Sequence, residues 1–567
     1  MNIVVIMLEN RSFDSFLGYL YSPNDLPQKN IPSLGPNEPP FHGLNFIDTS
    51  QFANTFIVDG KTLLSQPPVP SVRATNSPGS DPGEEYEHVN LQLFGSCDPP
   101  LKDKPATMDG FLQDYGNEWL RSKLDDAALD TISQIMHMYT PADLPVLNRL
   151  AKAYAVSDMW FASVPTQTNA NRAFSICGTS MGLVNNGFLS DNEVEAKLAD
   201  DRFGTDTIWH VLERHNFHDW AVFWSDTYPP IISDVPYTRR VFPWLEQISN
   251  IDGHFRKMDD FFTMAEAGTL PAFSYIEPKW SGEILKLSVM GNEYHPPADV
   301  TPAEDTLRKI YCSLAKNQAA WQDTLLVIYF DEHGGTYDHV PPPWGACPPW
   351  GNGAPTGLPK GLEKDFQFDR FGVRVPAIIV SPRIAAGTVF RSPAKTPYDH
   401  TSVIATVLQL LLPNIPRTEW GLGDRVAHAP TFENVLTLQD PRHDNIFAPQ
   451  APPPLGTPLN YGDAFNLRHA GGERVTTAYS GFLYYFPTLS AGKPVRLDFR
   501  GGWGPVNSGA IVQIRTDEYL EPILRVEPTF IFAGIRNFLG AWKDQHDCYY
   551  YSTNDSEDYR QQYWAIT

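Results

Sequence analysis

The stretch TLLVIYFDEHGG, residues 324–335, is an apolar run that stops abruptly at charged residues. Its length and its β-branched and aromatic side chains predict a strand that is buried on both faces. The run IVVIML at residues 3–8 has the same character and stops at Glu9 and Asn10. Strands of this kind are typical of parallel sheets, so the two runs together indicate an α/β protein.

Further runs extend the same pattern along the chain. Three more stretches predict buried strands of the parallel type: WAVFW (220–224), AFSYIE (272–277) and VPAIIVSP (375–382). Helical periodicity lies between them, at residues 301–321 and in HTSVIATVLQLLL (400–412), which Pro413 terminates. Strands that alternate with helices predict a three-layer α/β/α sandwich over residues 1–445.

The C-terminal part of the chain has a different composition. Residues 446–458 are rich in proline and predict a semi-rigid linker. Residues 459–567 hold 20 of the 71 aromatic residues and carry a net charge of −2, and their short aromatic and β-branched runs predict an all-β domain. The ending with Gln562 and Trp564 resembles the closing strand of a β-trefoil repeat in ricin-type lectins. A small β-sandwich with an aromatic core fits the same pattern, and either would suit lipid or glycan contact.

Composition limits the class of protein. The 567 residues carry a formal net charge of −23, and 42% of them are hydrophobic against 19% charged, which is typical of a globular chain. A strongly acidic chain repels a polyphosphate backbone, so we expect no nucleic-acid partner. The 51 prolines predict long, stiff loops, of which residues 60–85 and 340–360 are rich examples.

Targeting signals and disulfide frameworks are not evident. The run after Met1 lacks a basic segment and predicts a core strand rather than a signal peptide, and no stretch reaches 18 apolar residues. We therefore expect a soluble chain, with secretion and a cytoplasmic location both left open. Five scattered cysteines exclude a zinc ribbon and argue against a dense disulfide framework, while one bridge can still form.

Polar residues that directly follow two predicted strands are the first candidates for a site. Glu9 and Asn10 follow one strand, and Asp331 and Glu332 follow the other. In an open α/β sheet, ligands bind beyond the carboxyl ends of the strands. Three carboxylates that converge there would repel one another unless a cation lay between them, so the pattern predicts a divalent metal ion. For either pair alone, a helix cap or a surface turn is the alternative.

Thr168 is a candidate nucleophile. It stands just before Asn171, Arg172 and an apolar helical start, where backbone N–H groups and an arginine can hold a phosphate. A hydroxyl bound to a metal ion is activated because the cation stabilises its alkoxide. Without the neighbouring strand ends, an N-cap would be the simpler interpretation of this threonine.

Six motifs, taken in order, resemble those of the bacterial and plant phosphoesterase family, which contains the nonspecific phospholipases C and the AcpA-type acid phosphatases. They are ENRSFDSFLG (9–18), T-x-A-N-R (168–172), EYHPP (293–297), DEHGGTYDHVPPP (331–343), GVRVPAIIVSP (372–382) and HTS (400–402). The resemblance implies the fold of the alkaline phosphatase superfamily, in agreement with the predicted sandwich.

The resemblance also implies roles for particular residues. It implies one divalent ion, calcium, zinc or magnesium, bound by Glu9, Asn10, Asp331, Glu332 and Thr168, with Thr168 also the nucleophile. It places Asn171 and Arg172 in the site and His295 at the phosphoryl group. His339 is expected to be either a catalyst or a residue that orients its loop, and His400 a structural histidine.

Two positions depart from the family pattern. Ala170 stands where the family usually has proline, which loosens the turn and leaves the chemistry intact. Glu84 stands where many relatives have histidine, and His88 follows four residues later. The contact to phosphate or to the leaving group that this loop would make is therefore open.

These features predict a phospholipase C that releases diacylglycerol from phosphatidylcholine-type lipids through a phosphothreonine intermediate. The net charge of −21 outside the C-terminal domain disfavours a dianionic substrate and suits a cationic headgroup. Trp344 and Trp350 lie in a loop that could admit lipid, which makes peripheral membrane contact an expectation. Two alternatives are a broad acid phosphatase and a glycan- or lipid-binding protein with an inactive phosphoesterase domain.

Overall fold

The computed structural model describes residues 1–70, 77–120, 123–186, 203–225, 235–280, 291–353, 362–444 and 446–447, and the backbone of a few strands elsewhere. Its centre is a nine-stranded sheet. In chain order the strands are β1 (Asn2–Leu8), β2 (Lys29–Ile31), β3 (Ala155–Ser157), β4 (Trp220–Trp224), β5 (Phe255–Lys257), β6 (Phe273–Ile276), β7 (Thr324–Phe330), β8 (Ala377–Val380) and β9 (Thr388–Phe390). Their order across the sheet is β2-β9-β3-β8-β7-β1-β6-β4-β5.

The two runs that indicated the fold class are neighbours at the middle of this sheet. β1 and β7 pair in parallel without a register shift, from Asn2 opposite Thr324 to Leu8 opposite Phe330. Nearly every residue of both strands is buried. Since alternate side chains point to opposite faces, both faces are covered, as the unbroken apolar runs predicted. The residues that follow the two strands therefore emerge side by side.

The sheet is mostly parallel, with one exception. β8 pairs antiparallel with both β7 and β3, so the prediction of a parallel strand at 375–382 was wrong in direction. Residues 331–376 leave β7 and return to the same edge of the sheet, which puts Ala377 opposite Tyr329 and Val380 opposite Leu326. An apolar run reports burial on both faces and does not report strand direction.

Helices lie in most of the connections between strands and after the last strand of the sheet. Their bounds are Phe13–Leu17, Tyr86–Phe94, Phe111–Asn117, Asp126–Ser133, Pro145–Ala153, Thr168–Cys177, Ile208–Arg214, Tyr237–Val241, Ile251–His254, Met258–Ala267, Thr301–Lys316, Gln318–Trp321, Thr401–Leu411 and Gly423–His428. Short 3-10 helices occur at Leu44–Phe46, Thr49–Phe52, Gln134–Met136, Pro243–Gln247, Glu363–Asp365, Arg417–Glu419 and Glu433–Val435. None of the described helices is both long and apolar enough to cross a membrane.

The two predicted helices are present, one of them divided. Thr401–Leu411 ends before Pro413 as expected. The helix predicted over 301–321 breaks at Asn317, whose side chain accepts a hydrogen bond from the N–H of Ala320 and caps the short second helix. An asparagine side chain offers the backbone this alternative, which is why it favours caps over helix interiors.

The chain forms two compact units. The first comprises Met1–Thr140, Leu150–Ala298 and Ser313–His443, and the second comprises Pro141–Arg149, Asp299–Cys312 and Asp444–Thr567. Small two-stranded sheets outside the central sheet pair Asn54–Val58 with Lys61–Gln66, Val69–Pro70 with His137–Met138, and Gly282–Ile284 with Leu287–Val289. Of the five cysteines, Cys97, Cys177, Cys312 and Cys347 are free thiols, and the side chain of Cys548 lies outside the described part of the chain.

Backbone strands are also assigned in the C-terminal part. They are Ala464–His469, Val475–Tyr479, Leu497–Arg500, Ile511–Thr516, Pro522–Ile523, Asn537–Ala541, Cys548–Ser552 and Trp564–Ile566. The side chains of this part, with Gln562 and the linker at 448–458, lie outside the described residues. The β-trefoil and β-sandwich alternatives and the domain boundaries therefore stay predictions.

A buried arginine ties the start of the chain to the loop after β7. Arg374 donates from Nη2 to Asp14 Oδ1 at 2.8 Å and from Nε to both carboxylate oxygens of Asp338 at 3.2 Å. Its Nη1 donates to the carbonyls of His42 and Asp158, each at 2.8 Å. Because all three charged side chains are fully buried, removal of the guanidinium would leave two buried carboxylates without their shared arginine partner.

We expect Arg374→Met to lower the free energy of unfolding by about 3–5 kcal/mol, the cost of breaking a buried ion pair from one side. Arg383→Met is the matched control, because Arg383 pairs with Asp323 at the surface and such pairs contribute about 0–1 kcal/mol. Urea unfolding of both variants measures the difference. Equal, small losses would show that the buried pair does not stabilise the fold.

Candidate active site

The ends of β1 and β7 bring four predicted ligands to one edge of the sheet. The N–H of Asp331 donates to the carbonyl of Leu8 at 3.1 Å, and the N–H of Arg11 donates to the carbonyl of Glu332 at 2.9 Å. Asn10, at a left-handed φ of 54°, donates from its N–H to Asp331 Oδ1 at 2.9 Å. Backbone hydrogen bonds thus hold the two strand ends in one fixed arrangement.

Thr168 faces this edge from the start of the helix Thr168–Cys177. Its Oγ1 lies 3.1 Å from Glu9 Oε2 and 3.4 Å from Asn10 Oδ1. The side chain of Asn171 does not reach the cluster. It accepts from the N–H of Val164 at 3.1 Å and donates to the carbonyls of Val164, Thr166 and Gln167. Asn171 therefore closes the turn that presents Thr168.

Arg172 lies one helical turn after Thr168 and is buried against the carboxylates. Its Nε donates to Glu9 Oε1 at 2.8 Å and lies 3.4 Å from Asp331 Oδ2, while Nη2 also donates to Glu9. The guanidinium carbon is 4.6 Å from the ring centre of Trp280. Burial lowers the pKa of Arg172, but attraction to the two carboxylates outweighs it and holds the pKa above its ordinary value. Arg172 is the fixed counter-charge of the cluster, and direct contact with phosphate stays a prediction.

His295 approaches the cluster from the EYHPP motif. Its Nδ1 is 2.5 Å from the carbonyl oxygen of Pro296, which places a proton on Nδ1. Its Nε2 is 3.0 Å from Nδ2 of Asn10 and is the nitrogen left for a reacting group. Burial lowers the pKa of His295, but attraction to Asp81 and Glu84 is stronger and raises the pKa to about 9.

The open question about Glu84 and His88 has a clear geometric answer. Glu84 is buried at the site and accepts a hydrogen bond from Nδ2 of Asn10. Burial and the nearby carboxylate of Glu332 hold the pKa of Glu84 well above its ordinary value. His88 points away, with Nδ1 2.8 Å from Asp114 Oδ1, and this hydrogen bond raises its pKa to about 9. Of the two, only Glu84 contacts a predicted site residue.

Two further histidines from the motifs are structural in their contacts. His339 is bonded to Asp14, with Nδ1 2.5 Å and the backbone N 2.7 Å from Asp14 Oδ2, in the cluster around Arg374. A loop-orienting role fits these contacts. His400 lies behind Asp331, with Nε2 2.5 Å from its carbonyl oxygen, and burial lowers its pKa to about 4, so it stays neutral.

The cluster has the chemistry of a cation site. Burial and the charge of Glu9 raise the pKa of Asp331 to about 8, and burial holds that of Glu332 well above its ordinary value. Among the described residues, Asp331 Oδ2 and Glu332 Oε1 are buried without a hydrogen-bond partner. Buried carboxylate oxygens are costly unless paired or bound to a metal ion. The all-oxygen set therefore fits a divalent cation.

Among the described residues, two groups hold potential ligand atoms within 4.8 Å of one another, and neither contains Glu9, Asp331 or Glu332. The first is Asp14, Asp338 and His339, where Arg374 already supplies the positive charge. The second is Asp81, Glu84 and His295, next to Asn10. Glu9, Asp331 and Glu332 do not form a group of this tightness in the described part of the chain.

A buried series of hydrogen-bonded side chains next to Glu332 was not predicted from the sequence. His333 Nε2 lies 2.7 Å from Gln92 Oε1, and Gln92 Nε2 donates to Asp114 Oδ2 at 2.7 Å. Burial lowers the pKa of His333 to about 3, so this histidine is neutral. Gln92 and Asp114 are distant in sequence from His333 and lie in none of the six motifs, so no local signal identifies them.

The loop tryptophans are partly buried. Nε1 of Trp344 donates to the carbonyl of Lys104 at 2.9 Å, and Trp350 packs edge-on against Phe368 at 5.4 Å between ring centres. Residues 71–76 and 354–361 of the two proline-rich loops lie outside the described residues. The role of these loops in admitting lipid stays a prediction.

Known proteins with similar sequences match most of the chain. A model of the phosphoesterase family matches residues 1–411. Non-specific phospholipase C6 of Arabidopsis thaliana is 33% identical over 78% of this chain and 73% of its own. Non-specific phospholipase C4 of the same plant is 29% identical over 81% and 74%. Phospholipase C A of Mycobacterium tuberculosis is 23% identical over 72% of each chain.

Solved structures match more weakly. A protein in the alkaline phosphatase superfamily from Vibrio parahaemolyticus is 11% identical and covers 75% of this chain and 79% of its own. The TM-score of that match is 0.27.

Gly334, after β7, lies in close contact with Asn10, after β1. It has a φ of +57°, and a Cβ there would lie 2.2 Å from the carbonyl oxygen of Asn10. We expect Gly334→Ala to displace Asn10 and to abolish the stabilisation by divalent ions in thermal unfolding. Gly60→Ala is the matched control, since Gly60 has a φ of +73° but nothing within 4 Å of an added Cβ. An unchanged response to metal in Gly334→Ala would contradict the arrangement.

Proposed function

The chain belongs to the phosphoesterase family, and from that premise we propose that it is a phospholipase C acting on phosphatidylcholine-type lipids. The reaction yields diacylglycerol and the phosphorylated headgroup. As a member of this family the protein is a phosphoric ester hydrolase. The observation that carries the mechanism is the hydroxyl of Thr168, 3.1 Å from Glu9 and 3.4 Å from the amide oxygen of Asn10.

One divalent ion is proposed at this point, bound by Glu9, Asn10, Thr168, Asp331 and Glu332. Such an ion, when bound, lowers the pKa of a hydroxyl and neutralises charge on phosphoryl oxygens. The oxygen-only set suits calcium or magnesium, and zinc also accepts carboxylates. Arg172 holds Glu9 in place, so Glu9 can accept the hydrogen bond from Thr168.

Thr168 Oγ1 passes its proton to Glu9 Oε2 and attacks phosphorus in line, the diacylglycerol oxygen leaves, and a phosphothreonine forms. Water then attacks the phosphothreonine from the opposite side and gives its proton to the now neutral His295. The bond to Thr168 breaks, Thr168 regains its proton from Glu9, and the phosphorylated headgroup is released. The proton for the leaving oxygen comes from His295 Nε2, because Nδ1 is engaged with Pro296. Attraction to Asp81 and Glu84 keeps that histidine protonated at neutral pH.

Charge at the site favours a diester over a monoester. Arg172 is the one Arg or Lys paired with the ligand carboxylates among the described residues, and its Nε and Nη2 already donate to Glu9. Asp81 and Glu84 add negative character beside His295. A diester carries one charge fewer than a phosphomonoester dianion, and its cationic headgroup suits these acidic surroundings.

We further propose that residues 459–567 form a β domain that contacts lipid or glycan and assists peripheral membrane binding. The aromatic content of this part, 20 of 71 aromatic residues, supports the proposal.

The substrate class is tested by turnover of phosphatidylcholine vesicles and p-nitrophenyl phosphate with the same metal ion. We expect kcat/KM for the lipid to exceed that for the monoester at least ~10-fold, equivalent to ~1.4 kcal/mol in transition-state binding. A reversed ratio would identify an acid phosphatase. Bound metal without turnover of either substrate would indicate an inactive phosphoesterase domain.

The nucleophile is tested by Thr168→Ala, which we expect to abolish turnover, and by Thr168→Ser, which retains a hydroxyl and part of the activity. Thr166→Ala is the matched control, because the Thr166 hydroxyl donates to the carbonyl of Val184 instead. Mass spectrometry of acid-quenched enzyme should find phosphate on residue 168 alone. Substantial turnover by Thr168→Ala would exclude the phosphothreonine route.

A further inference from the structure

We propose that Arg11 is a positioning residue for His295, because its side chain holds the backbone of two loops that meet at the candidate active site. One loop is residues 77–84 and the other is the EYHPP motif at 293–297. The inference rests on the proposed function only in that His295 takes part in turnover. It concerns the place of the imidazole ring and is the same whichever nitrogen of the ring holds a proton.

The guanidinium of Arg11 donates to one backbone carbonyl in each loop. Its Nε donates to the carbonyl of Tyr294 at 2.9 Å, and its Nη1 donates to the carbonyl of Ser77 at 2.6 Å. The side chain is 0% exposed. The guanidinium carbon lies 5.0 Å from the ring centre of Phe16 and 5.7 Å from that of Tyr139. The rigid planar fork of a buried arginine thus fixes the distance between the two loops.

The backbone at Tyr294 needs such support. Its φ is +80°, a left-handed conformation that is unfavourable for a tyrosine and persists only where the surroundings enforce it. Arg11 binds the carbonyl of Tyr294, and the N–H of Glu9 donates to the carbonyl of the preceding Glu293 at 2.8 Å. Because His295 follows directly, the direction of its side chain depends on this strained backbone.

The second carbonyl extends the connection to the other loop. The hydroxyl of Tyr139 donates to the same carbonyl of Ser77 at 3.1 Å and accepts from the N–H of Ser77 at 2.9 Å. Asp81 lies four residues later, and its Oδ1 is 3.7 Å from His295 Nδ1. Arg11 therefore joins the loop that carries His295 to the loop whose carboxylate faces the imidazole ring.

The position of this ring is critical because His295 lies at the edge of the candidate active site. Its Nε2 is 3.0 Å from Nδ2 of Asn10. A displacement of about 1 Å in a reacting group can lower a rate ~100-fold. Without the side chain of Arg11, the carbonyl of Tyr294 would lose its hydrogen bond, and the left-handed backbone could relax and move the ring.

The inference is tested by a double-mutant cycle of Arg11→Met and His295→Gln in the full-length protein. Methionine keeps an unbranched apolar stem and removes both donors. We expect kcat/KM for soluble dibutyryl phosphatidylcholine, with divalent metal supplied, to fall ~100-fold in His295→Gln and at least ~10-fold in Arg11→Met. The double variant should lie within about threefold of His295→Gln, because a ring that is absent cannot be displaced.

Arg374→Met is the matched control, since it removes another buried arginine whose carboxylate partners are Asp14 and Asp338. Its loss of kcat/KM should multiply with that of His295→Gln. Arg11→Lys keeps the charge, but one ammonium group lacks the fork that spans two carbonyls, so we expect an intermediate loss that again does not multiply. Thermal unfolding checks each variant, and Arg11→Lys replaces Arg11→Met if the latter does not fold.

The outcomes separate this inference from the proposed function. Losses of Arg11→Met and His295→Gln that multiply, or an unchanged kcat/KM in Arg11→Met, overturn the positioning role alone. A His295→Gln variant as active as wild type overturns the role of His295 and the positioning role together. The acid role is tested apart from positioning with p-nitrophenylphosphocholine, whose leaving oxygen needs little protonation. Equal losses of His295→Gln on this substrate and on the lipid overturn the acid role, while the cycle still decides the positioning role.

Discussion

Three carboxylates buried at one edge of a sheet are the constraint on which the rest of the structure depends. Glu9, Asp331 and Glu332 are 0–2% exposed, and an isolated buried carboxylate is too costly to remain without a partner. The described structure supplies one cation, Arg172, which contacts two of the three. The carboxylate oxygens that have no hydrogen-bond partner, Asp331 Oδ2 and Glu332 Oε1, favour the binding of a metal ion.

The helix Thr168–Cys177 satisfies two needs of this cluster at once. Its first residue presents the hydroxyl, and a residue one turn later supplies the guanidinium that fixes Glu9. Because positions four apart lie on the same face of a helix, the helix brings the proposed nucleophile and the counter-charge to the cluster together. The turn before the helix is closed by Asn171, which makes the position of Thr168 a consequence of the backbone.

Much of the surrounding structure holds the two strand ends in place. His400 binds the carbonyl of Asp331, and His339 and Arg374 bind Asp14 at the start of the first helix. Glu84 and His295 bind the amide of Asn10. Productive geometry in a phosphoryl-transfer site depends on such supporting contacts, because small displacements of the reacting groups are costly.

The amino-acid sequence by itself determined the central strands and the residues that follow them, since burial on both faces and a strand's end are local properties of the pattern. It could not determine the direction of β8, because an apolar run looks the same either way. Nor could it decide that Glu84 rather than His88 faces the site, or that the guanidinium of Arg172 donates hydrogen bonds to Glu9. Those outcomes depend on partners 74 and 163 residues distant in sequence, and only the tertiary structure brings such partners into hydrogen-bonding contact.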